Sequence, residues 1–331
     1  MSSARLRHVV IVAFPGLQSL DAIGPLEVFS SATHVADGLG VPGGYRVTLA
    51  SISGGPVRSE SGVEFGTTAL ARVDHVGADA IDTLLLPGGD GVQQTRGDGA
   101  LVEWIRAAAP GCRRIATVCT GTFLAAEAGL LDGRTVTTHW ARAARLAAEF
   151  PDITVDPDPI YVHDGRVWTS AGVTAGIDLA LAMVQDDLGT EVAQTVARWL
   201  VMFLHRPGGQ TQFAAPVWVP RAERSTVRAV QALVEAAPGG DHRLPALAAA
   251  AAMSVRHFSR VFTTEVGEPP GRYVERVRVE AARRELETTE HTLDVVAERC
   301  GFGTAETLRR SFRRRLGVTP DGYRRRFRTV A

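Results

Sequence analysis

The chain has 331 residues, with 36 arginines, no lysine and 36 acidic residues, so its formal net charge is zero. The charges are unevenly spread, because residues 1–220 hold 15 arginines against 22 acidic residues and residues 221–331 hold 21 against 14. A hydrophobic content of 45% excludes a disordered chain, and no apolar run approaches the roughly 18 residues that span a bilayer. We therefore expect no membrane association and two domains with different partners, the basic one suited to a polyanion.

Cysteines, histidines and the N-terminal residues indicate the cellular setting. Three cysteines are too few and too scattered for a disulfide framework, which predicts a reducing, cytoplasmic environment. No histidine–cysteine cluster has the spacing of zinc ligands, so we expect neither a metal site nor a cofactor. The first apolar run stops at Pro15 without a cleavage pattern, which predicts a first strand and not a signal peptide.

Apolar strands and helical segments alternate through the acidic part. Continuous apolar runs are typical of strands buried on both faces. The alternation predicts an α/β fold, a doubly wound and mainly parallel sheet with helices on both faces. The predicted strands are His8–Phe14, Tyr45–Ser51, Ile81–Leu86, Arg114–Val118 and Val167–Ser170, with a short strand-like stretch at Thr135–Thr138; the predicted helices are Leu20–Ala32, Leu101–Ala109, Thr122–Ala128, Trp140–Phe150, Gly176–Leu188 and Glu191–Leu204.

The pattern changes after Leu204, where glycine, proline and polar residues replace the apolar periodicity. We interpret residues 206–222 as a linker between an α/β domain at 1–205 and a second domain at 223–331. Only helices are predicted beyond the linker, so the second domain is expected to be all-α.

The basic part repeats itself at a spacing of 50 residues. Each copy is predicted to form a short helix, a tight turn and a second helix that begins after Ser254 or Thr304, which is the arrangement of a helix-turn-helix. In both second helices the apolar residues share one face and arginines occupy the other, as expected of a surface that bonds guanine or phosphate. Between the copies, Tyr273–Leu286 is predicted to be a helix that fixes their separation. The matched pairs are Phe258/Leu308, Arg260/Arg310, Phe262/Phe312, Gly267/Gly317, Pro270/Pro320, Tyr273/Tyr323 and Arg276/Arg326.

One stretch of the second copy carries a family signature, namely Cys300-Gly-Phe-Gly-Thr, Leu308, Phe312-Arg and Leu316-Gly-Val-Thr-Pro-Asp-Gly-Tyr-Arg324. With it, residues 225–328 resemble the DNA-binding domain of the AraC/XylS family of transcriptional regulators. The resemblance implies double-stranded promoter DNA as a partner, with phosphate contacts from Arg324–Arg326 and Arg328. By position it implies base contacts from Arg256, Ser259, Arg260, Ala305, Glu306, Arg309 and Arg310.

The stretch Ile115-Ala-Thr-Val-Cys119-Thr-Gly-Thr-Phe predicts a strand, a sharp turn and a helix. A residue in such a turn projects above the carboxyl edge of the sheet, where open α/β sheets bind ligands, and a helix N-terminus stabilises a thiolate. The arrangement is that of a nucleophile elbow, although only the second of its two glycines, Gly121, is present. The turn Pro87-Gly88-Gly89 follows a predicted strand and is expected to offer backbone N–H groups to an anion or oxyanion.

Further motifs accompany this cysteine: Phe14-Pro, Leu20-Asp21, Gly24-Pro25, Leu86-Pro-Gly-Gly89, Val118-Cys-Thr-Gly121, Thr137-Thr-His-Trp140 and Thr169-Ser-Ala-Gly-Val-Thr-Ala-Gly-Ile-Asp178. With them, the region from about residue 8 to 204 resembles the ThiJ/PfpI superfamily of the class I glutamine amidotransferase-like fold, in a subgroup that includes isonitrile hydratase. The resemblance implies Cys119 as the nucleophile-type cysteine, Asp21 as the acid that hydrogen-bonds it and His139 as a nearby histidine. It also implies Gly88 and Gly89 as the oxyanion-type turn, and we expect Thr120 and Trp140 to contribute to ligand binding.

The two domains together resemble GlxA-family transcriptional regulators, in which the α/β domain is a sensor or dimerisation module. The expected function is that of a sequence-specific DNA-binding regulator that responds to an unknown small metabolite, with Cys119 in a ligand pocket without turnover. A cysteine-dependent hydrolase or hydratase with a helical accessory domain is the alternative, and a redox sensor or an inert relic is a third. A homodimer is expected because pairing raises the affinity of an asymmetric reader. The sequence does not separate burial of Ile177–Val184 and Val192–Phe203 against the sheet from burial against a second subunit.

Overall fold

The computed structural model describes residues 6–73, 80–97, 99–202, 204, 210, 222 and 224–327, the side chains of 326 and 327 excepted. The chain forms two compact units, Met1–Gln210 and Thr211–Ala331, and each has a buried apolar core of its own. In the described ranges, no helix is long and apolar enough to cross a bilayer.

The strands of the first unit are β1 (Arg7–Val12), β2 (Tyr45–Ser51), β3 (Gly55–Arg58), β4 (Glu64–Ala69), β5 (Thr83–Leu86), β6 (Arg114–Val118), β7 (Thr135–Val136), β8 (Thr154–Val155), β9 (Tyr161–Asp164) and β10 (Val167–Ser170). Eight of these strands form one sheet in the order β3-β4-β2-β1-β5-β6-β10-β9. The pairs from β4 to β10 are parallel, and only the edge strands β3 and β9 run antiparallel to their neighbours. This confirms the predicted mainly parallel sheet.

The strand order reverses between β1 and β5, because the chain adds β2 and β4 on one side of β1 and β6 and β10 on the other side of β5. At such a switch point the loops that leave the carboxyl ends of neighbouring strands diverge and leave a crevice. The strands β5, β6 and β10 are buried along their whole length, so they hold the segments that follow them in fixed positions.

The helices of the first unit are α1 (Ser19–Gly38), α2 (Val92–Gly97), α3 (Ala100–Ala108), α4 (Gly121–Glu127), α5 (Trp140–Glu149), α6 (Ala175–Leu188) and α7 (Thr190–Trp199). Both α6 and α7 turn apolar side chains into the core of their own unit, including Leu181, Met183 and Val196 at 0% exposure. The first segment and the second as far as Ala197 are therefore buried within the unit, whereas Trp199 and Val201 are exposed.

Some predictions for the first unit are wrong in extent. The last helix ends at Trp199 and not at Leu204, and Val201 follows it with a left-handed φ of 55°. The strands β3, β4, β8 and β9 are missing from the prediction because most of their residues are exposed or half-buried, so they show no continuous apolar run. The helix α1 runs to Gly38, beyond the predicted Ala32, and holds Pro25 within its first two turns.

The second unit is helical throughout its described residues, with α8 (Ser225–Ala236), α9 (Leu244–Ala250), α10 (Val255–Val266), α11 (Pro270–Thr288), α12 (Leu293–Arg299), α13 (Ala305–Leu316) and α14 (Pro320–Phe327). The pairs α9–α10 and α12–α13 are the two predicted helix-turn-helix copies. The predicted connecting helix corresponds to α11, which begins three residues earlier and ends two residues later than expected.

The repeat is visible in the packing of both copies. Ser254 and Thr304 cap their helices by accepting a hydrogen bond from the N–H three residues ahead, at 3.3 and 3.2 Å. Both helices end at a glycine with a left-handed φ, of 82° in the first copy and 68° in the second. In each copy a buried phenylalanine also meets a tyrosine edge-on, with ring centroids 5.3 and 5.4 Å apart.

The helix α11 belongs to both copies. Its first half contributes Tyr273, Val274 and Val277 to the core of the first copy, and its second half contributes Ala282 and Leu286 to the core of the second. A single helix shared by two cores resists bending at their junction, so the two copies are held at a fixed separation.

Most of the predicted linker, residues 206–222, lies outside the described residues. Its described members are Gln210 and Ala222. Gln210 is buried in the first unit, at 3% exposure, and is therefore not a linker residue. Ala222 is buried in the first core cluster of the second unit.

Candidate ligand pocket and nucleic-acid interface

Cys119 lies in the turn between β6 and α4, at the carboxyl edge of the sheet. Its φ of 56° is left-handed, a conformation that costs a residue with a Cβ atom about 1–2 kcal/mol. Three hydrogen bonds hold the strained residue: its N–H donates to the carbonyl of Ser170 at 3.0 Å, and its own carbonyl accepts from the hydroxyls of Thr138 at 2.7 Å and Thr122 at 3.1 Å. The predicted elbow is therefore present.

Glycines make the elbow sterically feasible. A Cβ atom at Gly121 would lie 2.0 Å from the carbonyl oxygen of Leu86, so only glycine lets α4 start this close to β5. A Cβ atom at Gly172 would lie 2.4 Å from the Cβ of Cys119. The first glycine of the usual elbow motif is absent because its role falls to Gly172, which follows β10.

Asp21 lies in the first turn of α1, and its side chain is fully buried. Its two oxygens accept hydrogen bonds from the N–H of Val173 at 2.8 Å and from the N–H of Gly88 at 3.0 Å. Burial raises the pKa of this carboxyl to about 7, although both backbone bonds and a hydrogen bond with the Cys119 side chain act in the opposite direction. The sequence placed Asp21 beside the cysteine, and the structure brings the two together.

The surroundings of Cys119 act against the expected stabilisation of its thiolate. Burial, and then the charge of Asp21, raise the pKa of the Cys119 thiol to about 12, and the bonds from Thr120 lower it only in part. The helix behind the thiol has seven residues, so the effect of its dipole is small beside the cost of burying a charge.

Both N–H groups of the predicted oxyanion turn have partners within the protein. Gly88 donates to Asp21, and Gly89 donates to the hydroxyl of Thr120 at 3.0 Å. An oxyanion would have to displace these acceptors, so the turn organises the site and does not present two free donors.

A cavity of about 260 Å³ opens above the elbow. Its lining is charged on both sides, with Glu60 and Asp90 facing the crevice from two loops and Arg142 and Arg145 from α5. The residues that line it are Gln18, Glu60, Gly89, Asp90, Gln93, Cys119, Thr120, His139, Ala141, Arg142, Arg145 and Val173.

His139 is the N-cap of α5, where its side chain accepts a hydrogen bond from the N–H of Ala141 at 3.3 Å. Burial, and then the nearby Arg142, lower its pKa, so the ring lines the cavity in the neutral form at pH 7. A neutral imidazole that accepts through Nδ1 carries its proton on Nε2.

Some of the predicted ligand residues line the cavity, and the others lie outside its lining. Cys119, His139, Gly89 and Thr120 line the cavity. Asp21, Gly88 and Trp140 are outside the lining, and the Trp140 ring lies beside His139 with the centroids 5.3 Å apart. The charged lining residues were not predicted, because charged side chains on loops and helix surfaces follow no sequence spacing that marks a pocket.

Across the described residues, no group of three or more potential ligands could hold a metal ion.

In the second unit, α10 and α13 present the predicted DNA-contacting residues, and we call them the recognition helices. Arg256, Arg260, Glu306 and Arg310 are exposed, and Ser259 and Arg309 are half-buried. Ala305 differs, since it is 7% exposed and packs in the core of the second copy. Its predicted base contact is therefore wrong for this conformation, because the first turn of α13 directs that methyl group inward.

Several arginines of the recognition helices keep their charges available. Arg256 and Arg310 have no ion-pair partner among the described residues, whereas Arg309 lies 4.0 Å from Glu306. Of the arginines predicted to hold phosphate, Arg324 donates to the carbonyl of His291 at 2.6 Å. Arg328 lies outside the described residues.

The fold and these two sites define a class of protein: an α/β domain with a cysteine at its nucleophile elbow, joined to a helical domain with two helix-turn-helix copies. The DJ-1/PfpI family model matches residues 7–186, and a helix-turn-helix domain model matches residues 247–326. The chain belongs to the DJ-1/PfpI family and carries an AraC-type helix-turn-helix domain at its C-terminal end.

Two relatives match most of the chain. The HTH-type transcriptional regulator Rv1931c of Mycobacterium tuberculosis is 42% identical over 75% of this chain and 96% of its own. The HTH-type transcriptional regulator GlxA of Rhizobium meliloti is 29% identical over 85% of this chain and 86% of its own. These matches confirm the resemblance to GlxA-like regulators.

Other similarities are confined mainly to the first unit. The isonitrile hydratase of Pseudomonas putida is 33% identical over 57% of this chain and 75% of its own. A ThiJ/PfpI family protein from Pseudomonas syringae, known as a crystal structure, is 25% identical, with a TM-score of 0.52 over 69% of this chain and 86% of its own.

Proposed function

We propose that this chain is a sequence-specific DNA-binding transcriptional regulator. The observation that carries the proposal is the pair of recognition helices, which present arginines at matched positions of two copies of one helical unit. Two relatives that match most of the chain are named HTH-type transcriptional regulators, which supports the same role here.

Promoter DNA is the proposed partner of the second unit. The guanidinium groups of Arg260 and Arg310 have the geometry to bond the O6 and N7 atoms of guanine, one in each half of the binding site. Because α11 belongs to both cores, the two recognition helices are proposed to enter successive major grooves as one rigid reader. Glu306 and Arg309 neutralise each other in part, so we assign them to discrimination between bases and not to bulk affinity.

The cavity above Cys119 is the proposed binding site of a small-molecule effector. Its acidic and basic sides favour a small molecule that carries both a cationic and an anionic group. Gly89, Thr120 and His139 are proposed to contact it, and Asp21, Gly88 and Trp140 to support those residues from behind.

The properties of the thiol favour this role over the alternative, a cysteine-dependent hydratase or hydrolase. A nucleophilic thiol needs a lowered pKa and a free oxyanion site, whereas the pKa of Cys119 is raised to about 12 and the turn N–H groups have acceptors. The isonitrile hydratase similarity covers 57% of this chain, less than the matches to the two regulators, and supports the shared fold.

A cytoplasmic homodimer completes the proposal. The three cysteines are free, as in a reducing compartment. Trp199 and Val201 are 76% and 91% exposed at the end of α7, and large exposed apolar side chains are typical of protein–protein contact.

The test is DNA binding by the full chain. Arg260→Ala and Arg310→Ala should each weaken binding to a duplex selected by the wild type from a random library by about 1–3 kcal/mol and relax selectivity at one position of the site. Arg243→Ala is the control, since Arg243 lies just before α9 and pairs with Asp241 at 2.6 Å, outside both recognition helices. If both recognition-helix variants kept the affinity and selectivity of the wild type, the proposal would fail.

A further inference from the structure

Gln210 is the last residue of the first unit, and its side chain is buried in a pocket of hydrogen-bonding groups. The two hydrogens of its Nε2 are shared among three acceptors, namely the hydroxyl of Thr137 and the carbonyl of Thr138, both at 2.9 Å, and the carbonyl of Pro159 at 3.1 Å. Its Oε1 accepts from the N–H of Trp140 at 2.8 Å. The acceptors all face the amide nitrogen and the donor faces the oxygen, so the network fixes the orientation of the amide.

The segment that Gln210 holds is a wall of the effector cavity. Residues 137–140 connect β7 to α5, and His139 of this segment lines the cavity. Thr138 of the same segment donates to the carbonyl of Cys119 at 2.7 Å. One glutamine therefore bonds the segment that carries both the cavity histidine and a support of the strained cysteine.

The main chain of Gln210 is anchored as well. Its N–H donates to the carbonyl of Asp158 at 2.6 Å, and the second unit begins at the next residue. The point at which the chain leaves the first unit is therefore held by the Asp158 carbonyl and by the side-chain bonds to the segment that carries His139.

We propose that Gln210 is the residue that couples the effector cavity to the DNA-binding unit. This inference rests on the proposed function of the two units. A buried amide that loses its partners is unstable, so Gln210 is either fully bonded or released into water, with few populated states between them. A molecule that shifts His139 changes the balance between these two states, and with it the position from which the chain continues into the second unit.

Coupling is reciprocal, which allows a test without knowledge of the effector. If the state of the cavity wall affects DNA binding, then bound DNA must affect the cavity wall. The probe is iodoacetamide, and the quantity measured is the rate of Cys119 alkylation in the full chain at pH 8.5. Trypsin cleaves after Arg113 and Arg114, so peptide mass spectrometry separates Cys119 from Cys112.

The variants are Gln210→Ala and Gln210→Glu. Alanine removes all side-chain bonds, while glutamate keeps the shape but turns an oxygen towards the carbonyls of Thr138 and Pro159, which repel it. Gln185→Ala is the matched control, because the Gln185 amide bonds only the exposed Thr190 hydroxyl, at 3.3 Å, among the partners described. Thermal unfolding of each variant establishes that the first unit is folded.

In the wild type and the control, the selected duplex should change the Cys119 alkylation rate by about fivefold or more. In both Gln210 variants the free protein should react faster, and the duplex should no longer alter the rate. An unchanged rate in the wild type on addition of duplex, or a wild-type response in the folded variants, would overturn the coupling. A failure of the wild type to select any duplex would instead overturn the proposed function.

Discussion

The buried carboxyl group of Asp21 should make the unfolding free energy of the chain depend on pH. The folded state raises the pKa from 3.8 to about 7, so between these values the folded chain holds a proton that the unfolded chain has lost. A raised pKa contributes stability that is present below pH 4 and is lost as the pH rises through 7.

The predicted consequence is a pH-dependent difference between the wild type and Asp21→Asn. On raising the pH from 4 to 7, the wild type should lose about 3 kcal/mol more of its unfolding free energy than the variant, because asparagine does not ionise. Urea unfolding of both proteins at several pH values, followed by tryptophan fluorescence, measures the difference. Parallel curves would contradict the raised pKa.

Gly172 provides a second prediction at a single residue. In Gly172→Ala the new Cβ would lie 2.4 Å from the Cβ of Cys119 at a φ of 111°, so a strained backbone is combined with a clash inside the elbow. We expect a loss of more than about 3 kcal/mol of unfolding free energy.

The control for this change is Gly189→Ala. Gly189 has a φ of 88° and a ψ of 167°, and a Cβ there would meet no described atom within 4 Å, so its cost should be the backbone strain alone, about 1–3 kcal/mol. Chemical denaturation compares the two variants. Equal losses would mean that the elbow adapts to the added methyl group.

The two recognition helices depend on the same capping device. Ser254→Ala and Thr304→Ala should each cost about 1 kcal/mol, because each removes the acceptor for an N–H at the start of the helix. Hydrogen exchange should show faster exchange at the start of α10 in the first variant and at the start of α13 in the second.

Thr264→Ala is the control for the caps. Thr264 is exposed within α10 and bonds only the carbonyl four residues before it, among the described partners, so its loss should change the stability by less than about 0.5 kcal/mol. If either cap variant accelerated exchange equally in both helices, the caps would not act locally.

The periodicity of apolar residues predicted the strands that are fully buried and missed several that are partly exposed. The strands β5, β6 and β10 are buried throughout, so their apolar runs were visible in the sequence, whereas the half-exposed hairpin of β3 and β4 was not. In the second unit the 50-residue repeat gave a further signal, since two weak patterns in register support each other. The end of α7 was misplaced because the apolar residues after Trp199 continue a helical pattern that the left-handed Val201 interrupts.

For the molecule as a whole, the charge asymmetry makes a prediction about salt. Binding through the basic part should release counterions, so the logarithm of the DNA affinity should fall linearly with the logarithm of the salt concentration. With 6–10 phosphate contacts, the affinity should fall by about 10³–10⁵ between 50 and 200 mM salt.

Two arginines test the origin of this slope. Arg325 is exposed and has no ion-pair partner among the described residues, so Arg325→Ala should reduce the slope by about one. Arg243→Ala should leave it nearly unchanged, because Arg243 already pairs with Asp241, with which it also shares a second hydrogen bond. Equal effects of the two changes on the salt slope would show that local pairing does not decide which arginines meet phosphate.

The sequence by itself determined the two-part organisation, the mainly parallel sheet, the paired helix-turn-helix copies and the cysteine at the elbow. Each of these rests on a local signal, an apolar period, a cap, a turn or a repeat, which is set by residues close together along the chain. Only the tertiary structure decided the raised pKa of Cys119 and Asp21, the inward turn of Ala305, the charged lining of the cavity and the anchoring of Gln210. These properties depend on which groups from distant segments meet and on how much water they exclude. Burial of this kind produces no recognisable pattern of residues along the sequence.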